Sequence, residues 1–79
     1  MKVLYFASAQ GLANLKSERM RLGEGSSVKD MASEVIRLHP DLKSIEPTIR
    51  YAVNFEIAGQ DAPLHDGDEV AILPPVAGG

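Results

Sequence analysis

SVKDMASEVIRLHP, running from Ser27 to Pro40, is the segment of this 79-residue chain in which apolar residues recur with helical spacing. Val28, Met31, Ala32, Val35 and Ile36 fall at i, i+3, i+4, i+7 and i+8, which is one apolar stripe, while Lys29, Asp30, Ser33 and Arg37 lie outside it. Ser27 is suited to accept a hydrogen bond from the first turn as N-cap, and Asp30 adds negative charge there. Pro40 cannot continue the helix and ends it near Leu38 or His39.

On both sides of this helix the pattern changes to strands. Upstream, Lys2-Val3-Leu4-Tyr5-Phe6-Ala7 is rich in β-branched and aromatic residues. In Glu18-Arg19-Met20-Arg21-Leu22, Met20 and Leu22 alternate with two arginines, as on a strand with one wet face. The two read as a hairpin joined by a flexible connection over residues 8–14, and Gly23 to Ser27 as a turn cluster. Downstream, a polar linker containing Pro47 precedes Ile49 to Ile57, a strand run broken by a turn around Asn54. Leu64 is expected as a single anchor into the core, Asp66-Gly67-Asp68 as a tight turn, and Glu69 to Leu73 as the last strand. One helix among a few strands cannot make a doubly wound sheet. It can cross one face of a mixed sheet, with the first and last strands side by side at its centre. The expectation is an α+β domain over residues 1–73, followed by an extended tail over residues 74–79.

Composition narrows the chemistry. The chain is too short for a separate catalytic module. It has no Cys, which excludes thiolate nucleophiles, disulfides and Cys-ligated metals. Eight Lys and Arg against eleven Asp and Glu leave a formal charge of −3, and the basic residues are scattered, so nucleic acid is not expected as a partner. No stretch approaches the ~20 apolar residues that span a bilayer, and the run at Met1 to Ala9 is short for a signal peptide. A soluble cytoplasmic protein with no membrane partner is the expectation. Neither GxxxxGK[ST] nor GxGxxG is present, so the chain has no phosphate-cradling loop of its own.

The last residues, Leu73-Pro74-Pro75-Val76-Ala77-Gly78-Gly79, cannot pack as a core. Each proline fixes φ and removes a donor, which ends the ladder and holds the chain extended. Val76 offers a modest apolar grip, and Ala77, Gly78 and Gly79 add almost no bulk, so residues 74–79 can reach roughly 20 Å through a narrow channel. The terminal carboxylate expected at Gly79, with no Cβ beside it, is the reactive group such a tail would deliver. Without Pro-Pro before it, the same pair of glycines would read as a frayed, functionless end.

The run Leu64-His65-Asp66-Gly67-Asp68-Glu69-Val70-Ala71-Ile72-Leu73-Pro74-Pro75-Val76-Ala77-Gly78-Gly79 resembles the carboxyl end of the small subunits of molybdopterin synthase, ubiquitin-like sulfur carriers of β-grasp fold. Val3 to Ala7 and Ala52-Val53-Asn54 resemble the family too. The resemblance implies that an E1-like adenylyltransferase uses ATP to adenylate Gly79, and that a persulfide from a sulfurtransferase replaces AMP to leave a thiocarboxylate. The tail would then enter the large synthase subunit, within a heterotetramer, and give its sulfur to cyclic pyranopterin monophosphate to build the molybdopterin dithiolene. In that reading Gly79 and Gly78 carry the chemistry, and Leu73, Pro74, Pro75, Val76 and Ala77 meet the partner. No cofactor is held permanently, no metal is bound, and the chain alone is not an enzyme. A carrier for thiamine thiazole formation, a ubiquitin-like modifier ending in an isopeptide bond, and an interaction domain with an inert tail are the rival readings.

The remaining polar and aromatic residues have plainer expectations. His39 and His65 are expected to be solvated or capping. Asp61, Asp66, Asp68 and Glu69 form an acidic surface without calcium-loop spacing, which turn chemistry explains and which can also meet a basic patch on an activating enzyme. Tyr5, Phe6, Tyr51 and Phe55 are expected as core or half-buried strand residues, and any of them exposed near Val76 would belong to an interface.

Overall fold

The structure, a computed structural model, describes residues 1–75. In chain order its elements are β1 (Lys2–Tyr5), α1 (Ser8–Ala13), β2 (Ser17–Arg19), α2 (Val28–Leu38), β3 (Arg50–Val53), β4 (Glu56–Ala58) and β5 (Glu69–Leu73). Two 3-10 turns, Pro40–Ser44 and Glu46–Thr48, lie between α2 and β3.

The helix predicted from Ser27 onward is α2, and its start is fixed by a capping box. The Asp30 amide donates to the Ser27 hydroxyl (3.4 Å) and the Ser27 amide donates to the Asp30 carboxylate (2.9 Å). Such a cap stabilises a helix by about 1 kcal/mol. Val28, Met31, Ala32 and Val35 are buried, and the helix ends before Pro40. The stripe read from the sequence is therefore the face that the sheet covers.

The five strands form one sheet in the order β2-β1-β5-β3-β4. β1 and β5, the first and last elements, pair in parallel at its centre with Val3 opposite Val70 and Tyr5 opposite Ile72, and the other pairs are antiparallel. Because strand side chains alternate, Val3, Tyr5, Tyr51, Val70 and Ile72 face the helix and are buried. Leu42, in the first 3-10 turn, and Leu64, the anchor expected in the loop before β5, close the ends of this core and are also buried. The arrangement is the β-grasp expected from the sequence.

Three local expectations are corrected. Residues 8–14 are not a flexible connection: Ser8–Ala13 is helical, and Ala9 and Ala13, four apart on one face, are buried. Asn14 closes that helix in the left-handed conformation (φ 61°), its amide donating to the Gln10 carbonyl at 2.8 Å. The second strand lies at Ser17–Arg19, not at residues 18–22, because the ladder ends once the Met1 amine and the Met20 amide each donate to the other residue's carbonyl (both 2.9 Å). Met20 is buried and Leu22 half-buried all the same, so the alternation was real while the hydrogen bonding was shorter. The polar linker is wound into its two 3-10 turns by proline at the start of each.

Candidate docking face and tail exit

β5 is the strand that carries the chain out of the domain. It is paired with β3 through Leu73, which lies opposite Arg50, and with β1 through Ile72, whose carbonyl accepts from the Phe6 amide at 3.3 Å as the last link. Leu73 is half-buried, Pro74 is buried and Pro75 is exposed. The prolines end the ladder because neither has a donor to give it. Val76, Ala77, Gly78 and Gly79, named above as partner-binding and reactive residues, lie outside the described residues.

The sheet face turned away from α2 is apolar. Register places Leu4, Ala71, Ala52 and Ile57 in one row across β1, β5, β3 and β4. Phe6 and Leu73 extend it toward the tail. A groove of about 230 Å³ runs along this face, lined by Leu4, Phe6, Ala52, Phe55, Ala71 and Leu73, with Glu69 at one end. Phe6 is 43% exposed, Ile57 68% and Phe55 88%, because no helix or loop among the described residues covers them. Of the four aromatics expected as core or half-buried strand residues, Tyr5 and Tyr51 pack in the core, while the expectation is corrected for Phe6, which follows β1 on the opposite face, and for Phe55, which lies outside the strands. Parity accounts for Phe6, since Tyr5 points inward and its neighbour must point out. Phe55 stands in the β3–β4 turn, beyond the reach of the core. The pattern of alternation was the available signal for Phe6, and the turn expected around Asn54 was the one available for Phe55.

Cations frame the face. Arg50 is exposed beside Leu73 at the tail end, and Lys2 and Arg19, opposite one another in register, stand at the other end. The ion pairs among the described residues are Arg37 with Glu34 and His39 with Glu18, so these three cations have no ion-pair partner there.

The histidines and acids take other roles. His39 is not simply solvated. At the end of α2 its Nε2 meets the Glu18 carboxylate at 2.5 Å, and its ring stands edge-on to Tyr5 with centroids 5.6 Å apart. The Tyr5 hydroxyl donates to the same Glu18 oxygen, and burial followed by the Glu18 carboxylate pushes its ionisation far above the usual tyrosine range. The Tyr5 residue is only 1% exposed, and with the half-buried Glu18 and His39 it ties β1, β2 and α2 together. His65 is exposed, and its amide donates to Asp68 at 2.7 Å. Asp68 also accepts from the Asn54 side chain at 2.9 Å, and these bonds, the Asn54 one first, hold its carboxyl below the usual aspartate range. Asp68 thus acts in turn chemistry, as anticipated. Among the described residues no group of three or more His, Asp or Glu is placed to hold a metal ion, and no helix is long and apolar enough to cross a membrane.

What the arrangement can do is present an apolar face and, contiguous with it, a chain that leaves through Leu73 and two prolines. The ThiS family model matches residues 3–79. A molybdopterin synthase sulfur carrier subunit from Chlamydomonas reinhardtii is 42% identical over 81 residues, covering 100% of this chain and 98% of that protein. One of the same name from Homo sapiens is 30% identical over 82 residues, covering 100% and 93%. Among solved structures, SAMP1 (small archaeal modifier protein 1) from Haloferax volcanii superposes with a TM-score of 0.90 at 27% identity, covering 99% of this chain and 97% of that one.

Proposed function

The chain belongs to the ThiS family, and on that footing we propose that it is the sulfur carrier subunit of a molybdopterin synthase. The observation that carries this reading is the continuity of the exposed apolar face with β5 and Leu73-Pro74-Pro75, so that one docking event seats the domain and aims the tail. The names of the whole-length relatives support the same role.

The chemistry then follows from the terminus. The Gly79 carboxylate attacks the α-phosphorus of ATP held by an E1-like partner, releasing pyrophosphate and leaving an acyl adenylate. A persulfide supplied by a sulfurtransferase attacks the acyl carbon and expels AMP. Thiol cleavage of the resulting acyl disulfide leaves the thiocarboxylate. Inside the large synthase subunit that sulfur passes to cyclic pyranopterin monophosphate, and Gly79 returns to the carboxylate on hydrolysis. A dithiolene needs two sulfurs, hence two charged carriers in turn. Gly78 and Ala77 keep the tail thin, and Val76 gives it an apolar grip. The partners supply every nucleotide-binding and catalytic group, and this chain supplies the acyl end.

Reconstitution tests the proposal. Chain, ATP, E1-like enzyme, sulfur source, large subunit and pterin precursor are expected to yield dithiolene, and the same mixture with Gly79 deleted none. Equal yield from the deletion variant contradicts it. A second reading, a modifier joined to target lysines through Gly79, is favoured by the superposition on SAMP1. It predicts stable high-mass conjugates, which a carrier does not form.

A further inference from the structure

Phe55 is 88% exposed, the most of any large apolar residue among the described residues. It is also held in a conformation that its side chain opposes. The β3–β4 hairpin turns through two residues, Asn54 at φ 49° and Phe55 at φ 73°. A turn with positive φ at both central positions favours Asn followed by Gly, and a bulky residue at the second is an outlier. Asn54 suits its place and Phe55 does not.

The turn is clamped to the start of β5. The Asn54 side chain donates to Asp68 at 2.9 Å and accepts from the Glu69 amide at 3.0 Å, while the Asn54 amide donates to the Glu69 carbonyl at 2.8 Å. These bonds over-determine the backbone and hold the aromatic ring out at a fixed place. So exposed a ring adds little to the packing of its own domain, and domain stability alone would favour glycine here. No helix or loop among the described residues covers the ring.

We infer that Phe55 is a preformed docking anchor, inserted into an apolar pocket of the large synthase subunit that receives the tail, with carboxylates of that subunit facing Arg50, Lys2 and Arg19. The inference rests on the proposed carrier function and identifies how the partner recognises this face. Two observations select the occupant. The groove beside Phe55 runs on through Ala52, Ala71 and Leu73 into the strand that delivers the tail, so a protein gripping the tail is brought against the ring. The face carries three unpaired cations beside one carboxylate, Glu69, and a two-fold dimer of this chain through the same face would set those cations against each other. Rigid aromatic residues of this kind dominate binding energies because little side-chain freedom is lost on docking.

The test is calorimetric binding of the wild-type chain, Phe55→Gly, Phe55→Trp and Arg50→Glu to the molybdopterin synthase large subunit from the same organism, with thermal unfolding of each variant. Phe55→Gly is expected to melt no lower than wild type, and up to about 4 °C higher, yet to bind at least about tenfold more weakly. Phe55→Trp is expected to keep most of the affinity, and Arg50→Glu to lose affinity most at low salt. Wild-type affinity in Phe55→Gly overturns the anchor alone. Loss of wild-type self-association, instead of large-subunit binding, in Phe55→Gly also overturns it, because the occupant is then a second copy. Failure of the wild-type chain to bind the large subunit overturns both the anchor and the carrier function.

Discussion

The Tyr5 hydroxyl and the Glu18 carboxylate lie 2.5 Å apart, joining β1 to β2 at the edge where the end of α2 brings in His39. The bond lets a large aromatic ring fill the core while its polar end is satisfied. Tyr5→Phe retains the ring and removes the donor, so the expected loss is about 1–2 kcal/mol of stability by urea denaturation. An unchanged midpoint would mean that the contact adds nothing.

The burial of Tyr5, and then its bond to Glu18, have a pH signature. Because the folded protein raises the ionisation of Tyr5, the stability linked to its neutral form is complete below the ordinary value of 10.0 and declines as pH rises beyond it. Denaturation followed from neutral to alkaline pH is expected to show wild type weakening more steeply than Tyr5→Phe. Parallel curves would contradict the link.

Asp68 behaves in the opposite sense. Its folded ionisation is depressed, so its contribution is present above the ordinary value of 3.8 and is lost as pH falls through the lower folded value. Asp68→Asn cannot titrate, and its acid limb is expected to be flatter than that of wild type. Because Asp68 stands near the surface, the effect is expected to shrink in high salt.

Ala7, between β1 and α1, has φ 50° and ψ −131°, a backbone region that glycine occupies without penalty. Ala7→Gly is expected to raise stability by about 1 kcal/mol, the relief of the strain outweighing the added freedom of the unfolded chain. A lower denaturation midpoint would show that the strain is not there.

Much of this architecture was legible in the residues because it rests on strong periodicity. The apolar stripe from Val28 to Ile36 became the buried face of α2, and the strand-like runs at Val3 to Tyr5 and Val70 to Leu73 became the central parallel pair. α1 was not legible: it has only six residues, Gly11 interrupts it, and its buried positions are alanines, which give a weak apolar signal. The outward turn of Phe6 was implicit in the inward turn of Tyr5. The placement of Phe55 was not, since a positive φ in a phenylalanine depends on the clasp between Asn54 and Asp68, residues 14 apart in sequence. An extended tail was legible in Pro74-Pro75 and the two glycines, its sulfur chemistry is what the family resemblance implies, and the structure adds the apolar face beside β5.

In the proposed carrier function Gly79 is an acyl end that takes up sulfur. Its most direct measurement is the intact mass of the chain after incubation with ATP, an E1-like adenylyltransferase and a persulfide donor. The expected result is a gain equal to the exchange of one oxygen for sulfur, mapped to the carboxyl-terminal peptide and reversed on transfer to the pterin precursor. An unchanged mass under conditions where the activating enzyme consumes ATP, or a mass gained only as isopeptide conjugates on lysine, would contradict it.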